Sequence, residues 1–395
     1  MILLALFLLP QGLTALASTS ELSRLPQDAV CQEDAWIRRN DAEAGAKVYW
    51  PRQGWQALLG DEDGDGFFDS VPGVDALVWA PTAIVEQGRA SPSPQDFLFS
   101  FTRSGLGYAD GDLLRIDPKG GFLMSYAESD FLIALGISGG GFDLDAATLF
   151  EGELLFSVRD SLLGTTLGTV EDGDILALDI STQQVRRLYS EAEVQAFVDQ
   201  ATGQSHPIGA VTALAVHPET QSLLFCVQGP SSQDATVFRV ESGGSRLPGW
   251  HEQDWLFQVS TELDALTFLP DGLDQPPVLS VSLPYYQVGD TITHRVRFGT
   301  PGGVGCGFVA AQPLWRSTQL GGVGFEYLHP GDHIFLRQWD SGATHATLLD
   351  SSGSLSYSWS VSSLPSASLG IHLWAQMVDM QSGALSNPMI LSVKP

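Results

Sequence analysis

Asp61, Asp63, Asp65 and Asp69 stand on alternating positions around Gly64 and Gly66 in the run Asp61-Glu62-Asp63-Gly64-Asp65-Gly66-Phe67-Phe68-Asp69. Carboxylates crowded into one short loop raise one another's pKa and oppose ordering, whereas a hard divalent cation accepts roughly six to eight oxygens. Numbered as an EF-hand-type loop, Asp61, Asp63 and Asp65 take positions 1, 3 and 5, Gly66 the sharp turn, Phe67 the backbone-carbonyl position and Asp69 position 9. Position 12 is Pro72, where a sensor loop has a bidentate Glu, and no helical pattern flanks the run. The remaining ligand role is expected to pass across the Pro72-Gly73 turn to Asp75. An all-oxygen donor set selects calcium over zinc. The expected cofactor is therefore calcium, held by Asp61, Asp63, Asp65, Phe67, Asp69 and Asp75 as a structural staple.

Other chemical patterns are weaker. Asp110-Gly111-Asp112 and Asp172-Gly173-Asp174 read as hairpin turns with solvated aspartates, because Asp-Gly pairs suit turns needing positive φ. Gly136-Ile-Ser138-Gly-Gly140 fits the G-x-S-x-G string of a nucleophile elbow, but an elbow needs a strand before it and a helix after it, and another strand approach follows here. His329 and His333 bracket a Pro-Gly turn and not a helix face. Trp50, Trp55 and Trp79 could stack a sugar, although such residues more often fill a β core. No catalytic residue is assigned.

These residues are carried by a repeat. Phe97-Leu-Phe-Ser-Phe101 followed by Asp110-Gly-Asp-Leu-Leu-Arg-Ile116 returns as Leu154-Leu-Phe-Ser-Val158 followed by Asp172-Gly-Asp-Ile-Leu-Ala-Leu178. A degraded third copy spans Ser222-Leu-Leu-Phe-Cys-Val227 and Thr236-Val-Phe-Arg-Val240, and a fourth begins at Val278-Leu-Ser-Val281. Each is preceded by a landmark whose second residue is Asp75, Asp145, Thr212 or Asp264, at steps of 70, 67 and 52 residues. Those steps lie near or above the length of propeller blades, and radial packing of small sheets leaves only short, protected edges. The fold class expected is all-β, a β-propeller-like repeat domain of four or five blades over 18–285 followed by an immunoglobulin-like β-sandwich over 286–395. In the second part Ile292, His294, Val296 and Phe298, then Leu355, Tyr357, Trp359 and Val361, alternate at period two. One helix is expected, opened by the capping-box string Ser190-Glu-Ala-Glu193 with Val194, Phe197 and Val198 on one face.

The apolar start Met1 to Leu9 and the Ala15-Leu-Ala17 string before Ser18 have the form of a signal peptide, expected to span 1–17. A formal charge of -27 repels nucleic acid and anionic lipid, so binding to either is not expected. Cys31, Cys226 and Cys306 match no zinc or redox spacing, and three pairings are open to them. No later segment is long and apolar enough to span a membrane.

The acidic loop, the Asp-Ala-Leu landmarks, the Leu-Phe-Ser strands and the terminal Leu369-Gly-x-x-Leu373-x-x-Gln376 with Leu385-Ser-Asn387 together resemble a group of uncharacterised secreted bacterial proteins. In these, propeller-like repeats carry a DxDGDG loop and end in a β-sandwich. The resemblance covers most of residues 30 to 395 and implies a fold and a compartment, without an assigned reaction. The expected function is a secreted or cell-surface, calcium-binding, non-enzymatic monomer that engages an extracellular glycan or protein surface. The alternative is a propeller-type polysaccharide hydrolase or lyase using paired carboxylates among Asp75, Asp145 and Asp264.

Overall fold

The structure, a computed structural model, describes residues 14–19, 23–25, 28–31, 36–40, 47–50, 54–55, 59, 72–80, 96–105, 107–116, 122–205, 207–229, 235–240, 246–250, 263–269, 278–281, 285–286, 289–297, 299–310, 313–319, 325–328, 334–335, 346–360, 372–382, 386–387 and 389–393. Strands dominate these residues, as expected of an all-β chain. The acidic loop 61–69 lies outside them.

The first part runs β1 (Thr14–Thr19), a hairpin of β2 (Ser23–Leu25) and β3 (Asp28–Cys31), β4 (Trp36–Asn40), β5 (Lys47–Trp50), β6 (Val74–Trp79), β7 (Phe97–Phe101), β8 (Leu113–Ile116), β9 (Phe122–Tyr126) and helix α1 (Glu128–Leu135). It continues with β10 (Leu144–Phe150), β11 (Glu153–Val158), a hairpin of β12 (Leu162–Thr165) and β13 (Gly168–Val170), β14 (Ile175–Asp179), β15 (Gln184–Tyr189) and helix α2 (Glu191–Thr202). Last come β16 (Ala213–Val216), β17 (Leu223–Cys226), β18 (Val237–Val240), β19 (Arg246–Trp250) and β20 (Leu263–Leu269).

These strands make four four-stranded sheets, ordered β6-β7-β8-β9, β10-β11-β14-β15, β16-β17-β18-β19 and β20-β1-β4-β5. The first strand of each carries, or directly follows, a landmark. These inner strands meet one another: β6 lies against β10 and β20, and β16 lies against β10 and β20. The core fills the spaces between sheets. Leu16, Trp55, Leu77, Phe97 and Phe99 form one layer, Val78, Phe131, Leu144, Phe156 and Leu176 the next, and Leu155, Ala177, Val211, Phe225 and Phe238 a third. Strands buried on both faces read as short continuous apolar runs, which is why Phe97–Phe101 and Leu154–Val158 show no alternation.

One expectation is corrected at the fourth sheet. Val278–Val281 (β21) does not pair with the landmark strand; it pairs with Thr291–Arg297 in the second part, so the repeats end at β20. The neighbour of β20 is β1, from the other end of the chain, with Thr14 opposite Leu269 and Ala17 opposite Leu266. All six residues of β1 are buried. Cleavage after Ala17 would take Thr14–Ala17 out of the strand that lies between β20 and β4.

Hydroxyls tie one sheet to the next. Ser100 on β7 donates to the Leu144 carbonyl at 3.4 Å, Ser157 on β11 to the Val211 carbonyl at 2.6 Å, and Thr212 to the Leu263 carbonyl at 2.8 Å. In each case the acceptor sits one residue before a landmark residue. The Ser of the repeated Leu-Phe-Ser string is thus an inter-sheet latch. At the remaining joint, the Trp79 N–H donates to the Thr267 hydroxyl at 3.0 Å.

The Asp-Gly-Asp strings also differ from expectation. Asp112 and Asp174 are buried and bond backbone N–H groups instead of facing solvent. Asp112 accepts from the N–H of Ala109 and of Glu128, the first residue of α1; Asp174 accepts from Glu171 and from Glu191, the first residue of α2. Each therefore fixes a turn and satisfies an otherwise orphaned helix N-terminus. In the first string the glycine is required by space: a Cβ on Gly111 would come within 2.3 Å of the Phe142 carbonyl oxygen. Helix α2 begins as expected, with Glu193 accepting from the Ser190 N–H at 2.9 Å.

The second part holds β21 (Val278–Val281), β22 (Tyr285–Tyr286), β23 (Thr291–Arg297), β24 (Val304–Ala310), a hairpin of β25 (Pro313–Gln319) and β26 (Phe325–Leu328), β27 (Ile334–Phe335), β28 (Ala346–Leu348), β29 (Leu355–Ser360), β30 (His372–Asp379) and β31 (Met389–Val393). One sheet is β21-β23-β29 and the other β22-β31-β30-β24-β27, with β28 also on β24. The terminal motif forms a buried polar clasp: Gln376 Nε2 donates to the Ser386 carbonyl at 2.7 Å, and the Met377 N–H to the Ser386 hydroxyl at 2.9 Å. Among the described residues, no helix is long and apolar enough to cross a membrane.

Candidate functional site

Three landmark aspartates are placed by the same device. In the β6–β7 ladder Val74 pairs with Phe101 and Ala76 with Ser100, so Asp75 is an extra, unpaired residue. Asp145 is skipped in the same way between Leu144 and Ala146, and Asp264 between Leu263 and Ala265. A β-bulge bends its strand and re-aims the bulged side chain. Here it occurs at the equivalent position of three inner strands that lie against one another. Thr212 occupies the fourth position.

The side chains converge. Asp75 is 3% exposed and Asp145 8% exposed. Burial first, then the charges of Asp145, Asp143 and Asp264, push the Asp75 carboxyl well above the usual carboxylate range, with Arg159 opposing them. Asp75 Oδ2 makes no hydrogen bond. A desolvated carboxylate oxygen without a donor is costly unless it is protonated or neutralised by a cation.

Arg159 is the counter-charge. Its Nη1 lies 3.6 Å from Asp143 Oδ2, and its side chain is 51% exposed. Burial lowers the Arg159 pKa, but Asp75, Asp143, Asp145 and Asp264 together raise it above the ordinary value. Asp143 is pushed up to about 6 by burial, with Arg159 working against that and Asp110, Asp160 and Glu128 adding to it. One guanidinium thus faces four carboxyl groups, and the centre is a cation-attracting locus.

A second acidic group lies at the edge, where one oxygen each from Glu171, Asp172 and Glu191 falls within 4.8 Å of the others. Burial first, then Asp172, Glu171 and Asp174, raise the Glu191 pKa. Ser161 donates to Glu171 Oε2 at 2.8 Å. This group is an elaboration of the helix-start turn held by Asp174.

Of the expected metal ligands, Asp75 is at the centre just described, while Asp61, Asp63, Asp65, Phe67 and Asp69 lie outside the described residues, as do His329 and His333. Trp55 is fully buried and stacks edge-on against Phe99 and Phe101, and Trp79 packs on Phe97. Trp55 is thus a core residue, and Trp79 is half-buried against the same cluster. Gly136 caps α1 in the left-handed region at φ 75°, so Ser138 follows a helix and precedes a strand, the reverse of a nucleophile elbow. Sequence reasoning missed Asp143 and Arg159. Their signal is local: Arg159 directly follows the Leu-Phe-Ser-Val strand, where the preceding copy has Thr102.

No family model matches the chain, and no curated protein matches it. Among solved structures, the chain is similar to a fungal alcohol oxidase of the AA5 family in complex with copper, at 10% identity and a TM-score of 0.18, covering 73% of this chain and 63% of that one. It is also similar to a red sea bream transglutaminase, at 12% identity and a TM-score of 0.19, covering 86% of this chain and 56% of that one. The chain thus spans less than two thirds of the length of either, and likenesses this distant carry no argument about fold or chemistry.

Proposed function

We propose that this chain is a secreted or cell-surface, calcium-stabilised, non-enzymatic binding protein: a four-bladed β-propeller followed by an immunoglobulin-like sandwich, presenting its surface to an extracellular glycan or protein. The propeller reading is supported by four equivalent sheets whose inner strands each touch two others, with core layers between sheets. Two separate, mostly antiparallel sheets in the second part support the sandwich.

The observation that carries the calcium reading is Asp75. Its strand begins five residues after the acidic loop ends, and it bears a buried oxygen without a hydrogen-bond donor. That orphaned atom fits a cation-binding neighbourhood. In the loop itself Asp61, Asp63, Asp65, the Phe67 carbonyl and Asp69 would hold the ion, with Asp75 linking the loop to the inner strands. The serines of the Leu-Phe-Ser strands and the second aspartates of the Asp-Gly-Asp strings are engaged in structural bonds, which favours binding over catalysis.

The test is a calcium titration of the full chain, followed by thermal unfolding and by a glycan array with and without the ion. A ligand held at about a hundred times its Kd stabilises by ~2.7 kcal/mol. A melting temperature that does not move between chelator and saturating calcium would sink the reading.

A further inference from the structure

We propose that Asp75, Asp145 and Asp264 form a second divalent-cation site, at the centre of the four inner strands and separate from the acidic loop. The proposal rests on the calcium reading and shares Asp75 with it, but Asp145 and Asp264 belong to the central site alone and Asp63 and Asp65 to the loop alone, so variants at those positions let each fail separately.

The argument is geometric. Bulges at equivalent positions of β6, β10 and β20 set three carboxylates on inner strands that lie against one another, and hydroxyl latches from Ser100 and Thr212 hold the carbonyls of Leu144 and Leu263, directly before two of them. A structural aspartate in a bulge would be expected to bond local backbone N–H groups, as Asp112 and Asp174 do in their turns. Asp75 Oδ2 instead has no hydrogen bond, although the residue is 3% exposed and feels the charges of Asp145, Asp143 and Asp264. This is an unpartnered buried carboxylate directed into a cluster of its own sign.

The donor set is oxygen throughout, which selects a hard cation. Among the described residues only Glu171, Asp172 and Glu191 gather three ligand oxygens within 4.8 Å. The central carboxylates are spread more widely, so the ion would keep water between itself and at least one of them, as calcium and magnesium both do. Arg159 is paired with Asp143 and half exposed, leaving it room to turn outward when a divalent charge enters.

Calorimetric titration of the full chain with calcium, and separately with magnesium, tests this. Wild type is compared with a loop variant, Asp63→Asn with Asp65→Asn, and a central variant, Asp145→Asn with Asp264→Asn. The expected result is that the central variant loses one ion, or binds it at least tenfold more weakly, while the loop variant retains that ion. Loss of every ion in the loop variant, or unchanged binding in the central variant, overturns the proposal and leaves the loop reading standing. Retention of every ion in the loop variant, with loss in the central one, refutes the loop reading instead. Should the double central variant misfold, the single Asp264→Asn, at the least buried position, is titrated in its place with the same expected weakening; unchanged affinity overturns the proposal.

Discussion

Replacing Ser157 by Ala removes one oxygen from the joint between the second and third sheets and changes little else. The hydroxyl is fully buried and donates to the Val211 carbonyl at 2.6 Å. Its loss forfeits a short hydrogen bond and strands a desolvated carbonyl, which together cost about 2 kcal/mol, in the range set by buried unsatisfied acceptors. The other latches scale with geometry. Thr212, at 2.8 Å and also buried, is expected to cost about as much when replaced by Val, which keeps its shape. Ser100, at 3.4 Å, is long for an O–H donor, so Ser100→Ala is expected to cost under about 0.5 kcal/mol. Ser161→Ala serves as a control, since that hydroxyl meets Glu171 in an exposed pair. Urea unfolding of the four variants, with slopes compared to confirm a common transition, gives the ranking. Equal losses for Ser157→Ala and Ser161→Ala, or a larger loss for Ser100→Ala, would refute the latch reasoning.

Two further outcomes are expected. Asp379 is buried; burial raises its pKa, but the hydroxyl and N–H of Thr300 and the N–H of Gln381 outweigh that and hold it below the usual range. A carboxyl depressed in the folded state stabilises above its unfolded pKa and loses that contribution as pH falls through the folded value. Asp379→Asn should therefore lower the urea midpoint at pH 7, by about 2 kcal/mol of stability for a hydrogen-bonded buried charge, and much less near pH 2; equal deficits at both would contradict it. A chain beginning at Ser18 lacks four residues of β1, including the core residue Leu16, and should lose more than about 3 kcal/mol or fail to unfold cooperatively. Full stability of that truncated chain would show that β1 is dispensable.

What could be read beforehand was whatever repeats in sequence order. Leu-Phe-Ser and Asp-Gly-Asp mark equivalent strands and turns, although the chemistry of each aspartate was misread: a buried acceptor of two N–H groups has the same letters as a solvated turn residue. Helix α2 announces itself through Ser190 and Glu193, whereas α1 has Ala127 at its N-cap, with no capping side chain, and its Phe131-Leu-Ile-Ala-Leu135 run gives no polar face. The fourth sheet was illegible for a different reason. Its second strand comes from the opposite end of the chain, and no local pattern links Thr14–Thr19 to Leu263–Leu269. The convergence of Asp75, Asp145 and Asp264 was visible as a landmark, but their bulges were not, because a bulge is a property of the pairing and not of either strand alone.

The pairing of β1 with β20 also orders events in time. Three sheets are each built from strands close together in the sequence and can form as the chain is synthesised, one after another. The fourth cannot, since β1 must wait for β20, about 245 residues later. Until Leu263–Leu269 emerges, β1 has a free edge, and closing the loop between them carries the full entropic cost of distant contacts. Closure of the fourth sheet is therefore expected to be a single long-range capture, and before it the chain would expose an apolar strand edge of the kind that chaperones bind and that aggregation exploits.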